Sequence, residues 1–166
     1  MMCGGTGGGA VAAGGRGPSG GGSPLPPPTP PVSPEALWEW AQLRFPGLRL
    51  YWTVMPGEPG ARYTDGGRLF GAGIVEVDRR LRGPELTCAL AEEIGHHATM
   101  LTGDFAGRAE ERAFRWAAVL LLPPAAFRDR DPAALAQRYG VTEALAARAL
   151  ALGPAWSTAA RCRGAG

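Results

Sequence analysis

Glycine and proline crowd one end of the chain. Residues 1–34 hold 11 of the 26 glycines and 8 of the 16 prolines, with almost no large apolar side chain among them. A stretch of that kind buries too little surface to offset the entropy of ordering it, so residues 1–33 are expected to form a disordered tail. Pro26, Pro27, Pro28, Pro30 and Pro31 would stiffen it locally as polyproline II. About 130 of the 166 residues then remain to fold, enough for one modest hydrophobic core. The expected division is a tail over 1–33, a folded domain over 34–153 and a second flexible tail over 154–166.

Several functional classes are set aside on composition. The longest apolar stretch, Ala117 to Pro124, is far short of the ~20 residues a membrane-spanning helix requires. The beginning has neither a basic nor an apolar signal region, and Cys3, Cys88 and Cys162 are an odd set at unrelated spacings. No secretory signal, disulfide framework or CxxC metal clip is therefore expected, and a reducing cytoplasmic setting is the default. All 17 basic residues are arginine, lysine and asparagine are both absent, and the net charge is only +2. The arginines thus read as the substitution habit of a GC-rich coding sequence rather than as a phosphate-binding surface.

Local signals predict an α+β fold. Ser33-Pro34-Glu35 is a helix start, with a capping hydroxyl, a proline suited to the first position and an acid at the positive end of the dipole; Pro46-Gly47 stops that helix. Leu48 to Met55 and Arg68 to Val77 are rich in β-branched, aromatic and aliphatic residues. The turn formers Pro56-Gly57, Pro59-Gly60 and Asp65-Gly66-Gly67 separate them, so about three strands in a small antiparallel or mixed sheet are expected. Helical periodicity follows: Pro84 to about Met100, ended by Gly103; about Ala106 to Leu122, ended by Pro123-Pro124; Asp131-Pro132 to Tyr139; and Val141-Thr142 to about Leu152.

The chemistry concentrates in the first of these later helices. The chain's two histidines, His96 and His97, are adjacent, and Glu92 and Glu93 stand one turn before them. Residues four apart share a helix face, which pairs Glu92 with His96 and Glu93 with His97. Glu92-Glu93-Ile94-Gly95-His96 is one residue away from H-E-x-x-H, whose outer residues bind zinc and whose glutamate activates a water. Carboxylate is an accepted zinc ligand. With Glu92 and His96 as ligands, Glu93 lies about 100° around the helix, within reach of an attacking water as general base. With Glu93 and His97 as ligands, the base position falls on Ile94, which accepts no proton, so the first register is the competent one. A third ligand is expected from the next helix. There Glu110 shares a face with the small and apolar Ala113, Ala117 and Leu121, which predicts Glu110 pointing inward and Glu111 outward.

Taken together, these parts resemble the ImmA/IrrE-type metallo-endopeptidases, over about Pro34 to Gly153. The likeness rests on the strand Gly73-Ile74-Val75-Glu76-Val77-Asp78, the helix Cys88 to His97, and Glu110-x-x-Ala113-x-x-Trp116-Ala117-Ala118-x-Leu120-Leu121-x-Pro123 with its leucine-leucine-x-proline ending. The resemblance implies a zincin-like helical core. It places Glu92 where most members carry a zinc-binding histidine, with His96 as second ligand, Glu110 as third and Glu93 as general base. The Ala-Glu-Glu-x-Gly-His-His form is similar to that of a phage-like branch of the family. Two carboxylates and one imidazole make a hard, anionic site for Zn2+, with Mn2+ or Fe2+ favoured more than usual. By resemblance, the substrate is a helix-turn-helix repressor of a phage or mobile element. The oxyanion-stabilising group is unassigned, with Tyr63 only a guess.

Two other readings compete with an active protease. One is a catalytically inactive module of the same fold that grips a repressor. The other is a DNA-binding regulator using the helix-turn-helix-like pair over 132–152. Its second helix offers only Glu143 and Arg148 as charges, which is poor equipment for reading base edges, so packing on the core is the preferred role and direct nucleic-acid contact is not expected.

Overall fold

The capping signals translate directly into helices. In the computed structural model, which describes residues 26–65, 72–101 and 108–153, helix α1 spans Pro34–Arg44, and the Ser33 hydroxyl accepts the Ala36 N–H at 3.2 Å. Packing begins slightly before that cap, because Val32, assigned above to the tail, is 6% exposed and belongs to the core. Residues 1–25 of the expected N-terminal tail and the C-terminal tail, 154–166, lie outside the described residues, as do Cys3, Cys162 and the Gly103 stop.

Three strands follow, β1 (Leu48–Thr53), β2 (Ala61–Asp65) and β3 (Gly73–Asp78), in the order β1-β3-β2. The sheet is mixed: β1 runs parallel to β3 and β2 antiparallel to it. The third strand differs from expectation in place. It falls between the two turn-rich segments, where only five residues alternate, and the apolar run expected from Arg68 pairs in the described residues only from Gly73. Burial explains why β3 is central, since Val75 and Val77 have no exposed surface while Ile74 and Glu76 occupy the opposite, half-buried face. On that outer face Glu76 pairs with Arg62 of β2 at 2.6 Å. On the inner face Tyr63 stands opposite Val75 and turns toward the helices.

Helices α2 (Gly83–Leu101) and α3 (Ala109–Leu121) form the main helical pair, and α3 ends as expected before Pro123-Pro124, which lead into a single 3-10 turn. Their crossing is close because Gly95 has no side chain. A Cβ there would lie 2.7 Å from the Ala113 carbonyl oxygen and 3.1 Å from the Ala113 Cα. Helix α4 (Pro132–Tyr139), capped by Asp131, ends at Gly140 with φ +65°, a left-handed conformation natural to glycine, and α5 (Glu143–Leu152) starts from a Thr142 cap. Helix α5 buries Leu145, Ala146 and Ala149, and the Arg148 guanidinium lies 3.9 Å from the Phe114 ring centroid of α3. The pair therefore packs on the core, the role preferred for it above. No helix among the described residues is long and apolar enough to cross a membrane.

Candidate metal centre

Four chemistry-bearing side chains leave α2 within two turns, and the helix sends them in two directions. His97 faces the sheet and is 1% exposed, with its ring edge-on to Phe45 at 5.2 Å between centroids. Phe45 in turn contacts Trp40 and Trp116, so an aromatic cluster from α1 and α3 backs the histidine. His96 lies on the α3 side with its side chain 16% exposed, and its Nε2 is 3.3 Å from Glu110 Oε2. Ile94 is buried, as befits the residue that made the alternative register incompetent.

The convergence of His96 and Glu110 follows from the local sequence. Gly95 is adjacent to His96, and Ala113 is one turn after Glu110. The close contact between Gly95 and Ala113 therefore brings the neighbouring imidazole and carboxylate within reach of each other across the helix crossing. One expectation needs correction. Glu110 is not turned inward: its side chain is 87% exposed, and only its tip reaches back to His96. Glu111, expected outside, is the less exposed of the two and pairs with Arg115 one turn on. The small face of α3 comes so close to α2 at Ala113 that a long side chain in the first turn finds its space at the rim of the crossing.

Glu92 and Glu93 flank this pair and share its electrostatics. Burial pushes the Glu93 carboxyl up to about 7, against the pull of His96 and of the Tyr63 backbone N–H, which it accepts, and with the repulsion of Glu92 and Glu110 adding to the rise. The Glu92 carboxyl is also raised, chiefly by burial, with Arg148 and His96 opposing and Glu110 reinforcing the shift. All four candidate residues thus act on one another. Among the described residues, however, no three His, Cys, Asp or Glu side chains gather closely enough to hold a metal ion. What is drawn together is a two-donor pair, His96 and Glu110, with two half-buried carboxylates beside it; the hard oxygen and imidazole donor set suits a divalent cation.

Three features were not legible beforehand. Arg148, which the helix pattern marks only as a surface charge, approaches Glu92 from α5. A cleft of about 440 Å³ runs along α2, with Glu85, Cys88 and Glu92 on one wall and Phe114, Leu145 and Arg148 among the residues opposite. Tyr63, reached above only by guess, is tied to α2 three times. Its backbone N–H meets Glu93, its ring lies parallel to that of His96 at 6.4 Å, and its hydroxyl is 3.0 Å from His97 Nδ1. The period-two pattern of Ala61 to Asp65 was the available signal for Tyr63, since it places that residue on the inner face of a strand. No protein-family model matches the chain, and no curated protein sequence matches it.

Proposed function

We propose that the chain is a metal-dependent endopeptidase acting on a protein substrate, with Glu92, His96 and Glu110 holding the ion and Glu93 as general base. The observation that carries this reading is the 3.3 Å approach of His96 Nε2 to Glu110 Oε2 across two helices. Those are the two residues that motif spacing and helix register had separately nominated. A divalent ion held there, Zn2+ first and Mn2+ or Fe2+ as alternatives, supplies Lewis acidity, lowering the pKa of water and polarising a carbonyl. Glu93 takes the proton of the attacking water and returns it to the leaving amine, a role suited to a carboxyl beside the ligand pair and within reach of solvent. The cleft along α2 offers room for a substrate side chain next to Glu92. The substrate class, a helix-turn-helix repressor of a phage or mobile element, comes from the family resemblance; the cytoplasmic setting comes from the odd, scattered cysteines and the lack of a signal region.

The test is metal analysis of the purified chain, followed by incubation with a repressor encoded beside its gene. Stoichiometric metal, cleavage that a chelator stops, and a loss of about 10²–10⁴-fold in Glu93→Gln support the proposal. Cleavage by Glu93→Gln at the wild-type rate rules out the assigned base.

A second reading is favoured by the exposure of Glu110 and by the lack of a three-donor cluster among the described residues. In it the chain binds the repressor without cutting it. Repressor binding that is indifferent to chelator, with no product, would establish that reading in place of the first.

A further inference from the structure

The two outer edges of the sheet are not alike. Strand β2 is short, carries Arg62 and Asp65, and gives its Tyr63 N–H to Glu93 of α2. Strand β1 has no such protection. Natural sheets blunt an exposed edge with lysine, proline, a bulge or a covering element. Strand β1 holds an uninterrupted register with β3 from Leu48 to Thr53, contains neither lysine nor proline, and has no strand on its other side among the described residues. Of the four large hydrophobic side chains exposed among those residues, three stand together along it: Tyr51 at 55%, Trp52 at 44% and Val54 at 68%.

The pairing with β3 decides which backbone groups of β1 face outward. The Gly47 and Thr53 carbonyls accept the N–H groups of Gly73 and Arg79, so the odd-numbered residues turn their amides and carbonyls to β3 and the even-numbered ones turn theirs away. At its beginning the outer edge is closed, because the Leu48 N–H donates to the Phe45 carbonyl and the Arg49 guanidinium caps the Leu48 carbonyl. From Leu50 onward it is open. The N–H and C=O groups of Leu50 and Trp52 have no hydrogen-bond partner among the described residues.

This open edge is complementary to itself. Leu50 and Trp52 flank Tyr51, so a half-turn about an axis at Tyr51 sets Leu50 of one copy opposite Trp52 of another, and each such pair can exchange both N–H···O=C bonds. In that register Trp52 meets an apolar Leu50 on the inner face, and the two Tyr51 rings meet across the axis on the outer face, a favourable aromatic cross-strand pair. Charge fits as well. Arg49 is the only charged residue from Leu48 to Gly57, and the antiparallel register sets it opposite Thr53, ~13 Å along the strand from its own equivalent. At the far end of the strand Glu58 offsets Arg79 and Asp78 takes up Arg80, so each basic start meets a neutral end.

We propose that β1 is a dimerisation strand: two copies of the chain pair antiparallel along their open β1 edges about a two-fold axis at Tyr51, joining their sheets into one. Strand β3 separates β1 from β2, so the β2 edge, where Tyr63 meets α2, stays outside the interface. The proposal is independent of the endopeptidase reading.

The test uses the full chain. Sedimentation velocity across the micromolar range is expected to show a monomer–dimer equilibrium, and Tyr51→Lys, which sets two ammonium groups face to face, is expected to weaken it by about 10²-fold. Amide exchange of Leu50 and Trp52 is expected to slow as the concentration of wild type rises, and to stay fast in Tyr51→Lys. Directly opposite residues of this kind lie within disulfide reach, so mild oxidation of Tyr51→Cys is expected to yield a dimer whose bond peptide mapping places at residue 51. That arm and wild-type exchange decide the matter even if the lysine variant does not fold. A chain that stays monomeric at hundreds of micromolar overturns the proposal, and protected Leu50 and Trp52 amides in that monomer would give the edge to a segment of the same chain. A dimer in which those amides exchange freely, or which Tyr51→Lys leaves intact, overturns it in favour of another surface.

Discussion

Glu93 carries a buried carboxyl whose ionisation works against the fold. Its carboxyl rises from an ordinary value of 4.5 to about 7 on folding, mainly because α2 and β2 bury it. Between those two values the unfolded chain gives up its proton before the folded one does. Stability is therefore full below about pH 4.5, falls as pH rises toward 7 and levels off above. Glu93→Gln removes the ionisable group. In metal-free protein the variant is expected to be more stable than wild type at pH 8 by about 2–3 kcal/mol, and to match it at pH 4. Urea denaturation at the two pH values measures this, and an equal difference at both would mean that Glu93 is not desolvated. On the endopeptidase reading the same substitution is expected to slow cleavage by about 10²–10⁴-fold, a trade of activity for stability common at sites that hold a strained or buried charge.

At the scale of elements, the α2–α3 crossing decides where His96 and Glu110 meet. Gly95 is a poor helix former, and in an open helix its replacement by alanine would gain ~1 kcal/mol. Here the added methyl would meet the Ala113 carbonyl at 2.7 Å, and backbone cannot swing aside as a flexible side chain can. Gly95→Ala is expected to destabilise the fold by about 1–3 kcal/mol, the usual cost of overpacking, and to weaken metal binding by separating His96 from Glu110. Thermal denaturation and a metal titration of the same variant report both effects; a variant more stable than wild type would show that the two helices are not held at this distance. The strand elements teach a different lesson. Helix boundaries were legible because Ser33, Asp131 and Thr142 cap them and paired prolines end α3. Strand β2 was not, because five residues between turn formers carry too short an alternation. Its place at the sheet edge depends on pairing with β3, a partner that lies later in the chain.

Across the whole molecule, one buried carboxylate ties the sheet to its loops. Asp78, at the end of β3, has no exposed surface and accepts hydrogen bonds from the Met55 and Arg80 backbone N–H groups and from the Arg80 guanidinium. Arg80 also donates to the Met55 and Gly57 carbonyls, closing the β1–β2 connection over the strand end. The Arg80 contacts hold the Asp78 carboxyl well below the usual carboxylate range. With the folded value depressed, the stabilisation is complete above the ordinary carboxylate pKa of about 4 and is lost as pH falls below it. Asp78→Asn is accordingly expected to flatten the acid limb of a stability profile below pH 4 and to lower stability at pH 7; an unchanged acid limb would place the acid sensitivity elsewhere. By itself the sequence determined what periodicity and capping encode: the helices, a small sheet in an α+β fold, and the Glu92, Glu93, His96 alignment on one helix. These are short-range properties, set by 3.6-residue spacing and by side chains that satisfy nearby amides. Only the tertiary structure decided that Glu110 meets His96 from an exposed position, that Arg148 approaches Glu92, and that Tyr63 and His97 share a hydrogen bond over Gly73. Each of those depends on how closely two distant backbones approach, and that distance is fixed by packing across the fold, which no local pattern records.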